Sequence, residues 1–222
     1  MQRITVSKEL AEKVPGIVLS CIECDVQIQV QNNELWEEIE SKIKELNSSL
    51  CVEEISKMPA IAASRRAYKK CGKDPARYRL SAEALLRRVL KRSEIYQVNN
   101  VVDQLNQVSI STGFSIGGYD ADTIDGEITF GIGEKGEPYK GIGRGELNIE
   151  FMPVFRDAKG AFGTPTSDSV RTCVTKHTKR FLMIIIAYEL NETIEYATNQ
   201  AQHYLKKYAD ASNFELKTIQ AI

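Results

Sequence analysis

The sequence predicts an α+β fold, and three kinds of segment carry that reading. Apolar residues recur at helical spacing over 33–50, 81–92 and 98–112. Short segments over 16–30, 126–133 and 146–157 alternate or read as strands between turns. RFLMIIIAYEL at 180–190 is an almost unbroken apolar run, as expected of a strand buried on both faces at the centre of a sheet.

In order, residues 2–6 predict a short strand, 7–13 a short helix and 16–30 a long strand. Cys21 and Cys24 form a C-x-x-C in that strand. Their opposite parity points the two sulfurs to opposite faces, which predicts one core thiol and one surface thiol, not a zinc or redox pair. In NELWEEIESKIKELNSSL, Leu35, Trp36, Ile39, Ile43 and Leu46 make one apolar face. Trp36 is expected in the core. MPAIAASRRAYKKCG continues helical to Gly72. Ser81 is placed as the N-cap of the next helix, with Glu83 in its first turn. The helix 98–112 buries Val98, Val101, Val102, Leu105 and Val108. Its Asn99, Asn100, Asp103, Asn106 and Gln107 are mediocre helix formers, which suggests partners elsewhere, in loops or in a ligand. GFSIGGYDADTIDG (113–126) reads as a loop. Strands follow at 126–133, 139–145 and 146–157, and the DAKG turn at 157–160 predicts a hairpin. Asn191 is placed as the cap of a last helix, 192–208, and 213–221 reads as a last strand.

The 222 residues suit one domain spanning 1–222, and a net charge of -1 excludes a molecule that is basic overall. Arg65, Arg66, Lys69 and Lys70, with Arg87, Arg88, Lys91 and Arg92, form one concentrated basic region. It reads either as a phosphate-facing surface or as a solvated face. No apolar run has the length of a membrane span, no signal-peptide core opens the chain, and the five cysteines are an odd set without framework spacing. A cytoplasmic protein is expected. His177 and His203 belong to no metal or nucleophile motif, and no dinucleotide fingerprint occurs. No cofactor and no metal are expected.

The span NNVVDQLNQVSISTGFSIGGYDAD, then ITFGIGEKGEPYKGIG, then GAFGTPTSDSVRTCVTKHTKRFLMIIIA, resembles the B3/B4 module of the phenylalanyl-tRNA synthetase beta subunit. DPARYRLSAEALLRRVLKRSEIYQVNNVVD looks similar to free-standing B3/B4 proteins. The resemblance is strongest over 73–188. Asp103 and Asn106 match the family's V-D-x-T-N pattern, with Leu105 in place of its threonine. Gly113 and Asp120 match G-Q-P-x-H-A-F-D, with Gly117 in place of its histidine. The family's glutamate falls near Leu182 to Ile184, where this chain is apolar.

The resemblance implies a mixed central β-sheet wrapped by helices, with a ligand cleft between two intertwined subdomains. It implies an editing-type domain that binds tRNA and hydrolyses mischarged aminoacyl-tRNA in trans, through positioned polar groups and an activated water. The alternative is a non-catalytic pocket or RNA-binding module for a free amino acid or similar small ligand. On the resemblance, Asn100, Asp103, Asn106, Gly117, Gly118, Thr164, Asp168 and Arg171 would line the substrate cleft, and the basic region would track the tRNA. No catalytic residue is singled out.

Overall fold

The structure, a computed structural model, describes residues 1–91, 95–190 and 192–221. Its elements begin with β1 (Ile4–Val6), α1 (Lys8–Lys13), β2 (Val18–Asp25), α2 (Asn33–Ser49), α3 (Pro59–Cys71), α4 (Ser81–Leu90), α5 (Asn100–Thr112) and β3 (Ser115–Asp120). They continue with β4 (Ile128–Ile132), β5 (Lys140–Gly141), β6 (Gly145–Glu146), β7 (Pro153–Asp157), β8 (Gly160–Gly163), β9 (Arg180–Ala187), α6 (Thr193–Ala209) and β10 (Ser212–Gln220). The fold is α+β, with helices against β-sheets.

The longer strands divide between two four-stranded sheets. One has the order β10-β2-β9-β3 and is antiparallel throughout. The other has the order β1-β4-β7-β8, with β1 parallel to β4 and the remaining pairs antiparallel. The DAKG turn closes the β7–β8 hairpin as expected.

One core lies between the sheets. Leu19, Cys21, Tyr119, Leu182 and Ile184 of the first meet Ile128, Phe130, Phe155 and Phe162 of the second. The other parity of the first sheet, including Ile22, Cys24, Met183 and Ile185, is covered by Val101, Leu105 and Val108 of α5 and Ala197, Ala201 and Leu205 of α6. Tyr68 of α3 and Leu86 and Val89 of α4 join Leu46, Ile110 and Val154 in a third cluster. The central strand β9 is thus buried on both faces, as its apolar run predicts.

Double coverage also corrects the reading of the C-x-x-C. The sulfurs do point to opposite faces, but both cysteines are fully buried. Burial pushes each thiol up to about 12, so neither is a nucleophile at neutral pH.

Several boundaries differ from expectation for local reasons. The strand from 16 to 30 contracts to β2, and Val30 is exposed. Leu80, not Ser81, is the N-cap of α4; the Ser81 backbone N–H donates instead to the Pro165 carbonyl at 2.8 Å. The segment 113–126 is not wholly loop, because Ser115–Asp120 pairs with β9 as β3. Of 139–157, only two-residue β5 and β6 and the five residues of β7 are strand. Asn191, placed as a cap, lies outside the described residues, and Glu192 stands at the N-cap of α6.

Candidate functional site

The eight residues expected to line one cleft fall in two places. Asn100 and Asp103 lie on the flank of α5 that meets α2 and α6, and both are buried. The Asn100 amide donates to the Gln27 and Tyr208 carbonyls at 2.9 and 2.7 Å and accepts from Gln29 N at 2.9 Å. Asn99 caps the helix, its Oδ1 accepting from Val101 and Val102. Asp103 accepts from Trp36 Nε1 and from Val98 N, both at 2.9 Å. Burial raises the Asp103 carboxyl, and these two donors oppose that shift. The polar residues of α5 therefore tie down loops and the α2 helix. Asn106 is half-buried, and Trp36 is half-buried as well, not a core residue. Its position is set by the polar end of its ring.

Gly117, Gly118, Thr164, Asp168 and Arg171 gather on the other side of β3. The Asp168 carboxylate accepts from the Tyr119 hydroxyl at 2.9 Å and from Gly118 N at 3.4 Å. Burial lifts the carboxyl to about 7, against the lowering effect of those two donors. Tyr119 is fully buried, edge-on to Phe162 with ring centroids 5.0 Å apart. Its hydroxyl fills the space over two glycines. A Cβ on Gly117 would lie 2.1 Å from that oxygen, and one on Gly163 would lie 2.2 Å from it. The position expected to open a pocket at Gly117 is thus occupied by the chain's own tyrosine.

Thr164 and Arg171 are engaged within the fold. Thr164 Oγ1 accepts from Thr166 N and Ser167 N and donates to the Ser167 carbonyl. Arg171 makes two 2.8 Å bonds to Asp157, which help to hold that carboxyl below its usual range against burial. The 164–168 loop is docked from several sides. Tyr139 donates to the Ser167 carbonyl at 2.6 Å, Tyr68 Oη of α3 lies 3.0 Å from Thr166 Oγ1, and α4 holds Pro165 through Ser81 N.

That docking places the Asp168 group beside the basic helices. Between Arg65 and Lys91 the sequence has ten Lys and Arg against two Asp and Glu, a net charge of +8 in a chain whose total is -1. The centre of this region is Glu83, which is almost fully buried. Arg65 Nη1 donates to it at 2.8 Å, Arg87 Nε at 3.1 Å, and Arg79 Nε lies 3.8 Å away. Three guanidinium groups from α3, α4 and the segment between them converge on one carboxylate. Lys69, Lys70 and Lys91 are exposed. Arg66 departs from the expected group: it forms a bidentate pair with Glu189 at 2.9 and 2.7 Å, on another flank of α3. Arg88 lies over the Tyr96 ring at 4.6 Å. Arg92 lies outside the described residues. Arg79 and the clamp on Glu83 escaped the sequence reading, although the i, i+4 spacing Arg79–Glu83–Arg87 is a local signal for them. Tyr119 has no such signal, because its partner Asp168 lies 49 residues away.

The raised Asp168 carboxyl has a consequence for stability. The folded state binds its proton more tightly than the unfolded chain does, so this contribution is fully present below about pH 4. It is lost as pH rises through about 7. In Asp168→Asn the loss should be absent. The melting temperature of the variant relative to the natural chain should climb between pH 4 and pH 8, by an amount worth about 2–4 kcal/mol. Parallel curves across that range would contradict the assignment.

Among the described residues no three His, Cys, Asp or Glu side chains converge. No described helix is long and apolar enough to cross a membrane. In comparisons with known proteins, no curated sequence matches the chain. Its fold is similar to a crystal structure of an N-terminal fragment of the phenylalanyl-tRNA synthetase beta-subunit from Pyrococcus horikoshii, with 14% identity and a TM-score of 0.49. That likeness covers 98% of this chain and 50% of the other, so the chain spans half the length of that fragment. The model of the B3/4 domain family matches residues 63–217, from α3 into β10, and the chain belongs to that family.

Proposed function

We propose that this protein binds tRNA through the α3–α4 surface. The observation that supports this most is the convergence of Arg65, Arg79 and Arg87 on Glu83. One carboxylate neutralises one of three guanidinium charges. The carboxylate fixes their positions, and the surplus charge faces outward, since the three side chains are between about a quarter and a half exposed. Lys69, Lys70, Arg77 and Lys91 extend the charge over the surrounding surface. Arginine forks and clustered lysines of this kind suit phosphate oxygens. Backbone contacts position a nucleic acid without reading its sequence. The choice of tRNA rests on the resemblance to the B3/B4 module. Binding of deacylated tRNA, measured at several salt concentrations, tests the proposal.

A second reading, hydrolysis of mischarged aminoacyl-tRNA in trans, is favoured by Asp168. A carboxyl that titrates near 7, beside a tyrosine hydroxyl and a backbone N–H, can exchange protons at neutral pH, as a water-activating base must. It is joined to the basic helices through the 164–168 loop. Deacylation of a panel of mischarged tRNAs tests this reading. Turnover should rise with pH through about 7 and vanish in Asp168→Asn. Folded protein with no turnover above the buffer rate leaves the binding function alone.

A further inference from the structure

A polar cavity of about 230 Å³ lies between α2, α5 and α6, away from both the basic surface and Asp168. Gln107 of α5 lines it and is 2% exposed. Its Nε2 donates to the Tyr204 hydroxyl at 3.2 Å, while its Oε1 is buried with no hydrogen-bond partner. Turning the amide over only exchanges which end is unpaired. Three residues back on the same flank, Gln104 is fully buried and neither end of its amide has a partner. Three unpaired buried amide atoms side by side are unusual, since such groups are nearly always satisfied. Asn100, one turn further along the same flank, is satisfied by three partners. The deficit is therefore local to the part of the helix beside the cavity.

The remaining walls indicate what could relieve it. Acceptors dominate: Glu38 and Glu45 stand on the α2 side, with the Gln107 carbonyl opposite. The cation among the lining residues, Lys42, is locked onto both oxygens of Glu45 at 2.9 and 3.0 Å. Burial pushes the Glu38 carboxyl up, but the hydroxyls of Tyr208 and Tyr204 and the charge of Lys207 more than reverse this, so Glu38 is ionised at neutral pH. Lys207 is shared with Glu34, to which it lies nearer, at 2.9 Å against 3.6 Å. Tyr204 and the exposed Tyr196 add aromatic rings to the walls, and such rings attract cations.

We infer that this cavity is a binding site for a small organic ammonium ion, held by the carboxylate of Glu38, the carboxamide of Gln107 and the rings of Tyr196 and Tyr204. The site is independent of the tRNA surface.

Cadaverine (1,5-diaminopentane) is a suitable probe, with pentane-1,5-diol as the neutral control and glutarate as the anionic one. Cadaverine should raise the melting temperature of the full chain with the concentration dependence of mass action, and the two controls should not. By calorimetry, Gln107→Leu should weaken cadaverine about tenfold, and Gln107→Glu, which adds a carboxylate, should tighten it. Tyr196→Ala, at an exposed position that leaves folding intact, should also weaken it. The inference is overturned if cadaverine stabilises no more than its two controls, or if the Gln107 variants and Tyr196→Ala bind it as the natural chain does.

Discussion

Gly117→Ala is expected to destabilise the protein by about 3 kcal/mol, near the upper end for an overpacked core. The new methyl carbon would lie 2.1 Å from the Tyr119 hydroxyl and 2.6 Å from the ring carbon that carries it. Relief by moving the ring is blocked. Its other side lies against Gly163, its edge meets Phe162 and Phe155, and its hydroxyl is held by Asp168. The variant should unfold at lower urea with an unchanged denaturant slope, as a loss of stability alone requires. Gly117→Ala combined with Tyr119→Phe, which removes the colliding oxygen, should recover part of the loss. Equal stability of Gly117→Ala and the natural chain would show that Tyr119 does not occupy this position. The same reasoning explains why this domain has glycine where its resemblance places a histidine: tyrosine and histidine compete for one volume.

Glu83→Gln has the second large effect, and it moves two observables in opposite directions. The carboxylate is buried, and its loss leaves three guanidinium groups converging without a counter-charge. Breaking a buried ion pair from one side typically costs 3–5 kcal/mol. Here the arginines are partly exposed and can turn to water, so about 2–3 kcal/mol is expected. The surface charge meanwhile becomes more positive by one, and tRNA affinity at low salt should hold or rise. A variant that keeps full stability would remove Glu83 from its role as the anchor of α3 against α4. A folded variant that loses tRNA binding would mean that the arrangement of the arginines matters more than their charge.

What the sequence made legible, and what it hid, follows from the range of the interactions. β9 and the helical faces of α2, α4 and α5 are visible because burial imposes a local period on their apolar residues. The hairpin of β7 and β8 is visible because its turn is four residues long. β3 was hidden because two adjacent glycines read as a turn, while its strand geometry is imposed by pairing with β9, more than sixty positions away. The division into two sheets is also non-local. Asp103 and Asn100 were conspicuous as polar residues in a helix, but polarity alone did not distinguish a ligand contact from a brace between helices. The structure assigns them to the brace. Asp168 stood out only through the family pattern, and its partner Tyr119 did not stand out at all, since a tyrosine near the end of a glycine segment carries no local mark of its role.

The central claim is that the α3–α4 surface takes the phosphate backbone of tRNA, and the salt dependence of binding tests it most directly. The comparison is between the natural chain and a quadruple variant, Lys69→Glu, Lys70→Glu, Arg77→Glu and Lys91→Glu, all at exposed positions. The natural chain should show a steep linear fall of log K with log salt. The variant should bind about 100-fold more weakly at low salt, with a slope shallower by about 3, one counterion release lost for each charge. Equal slopes and affinities in the two proteins, with both folded, would contradict the claim.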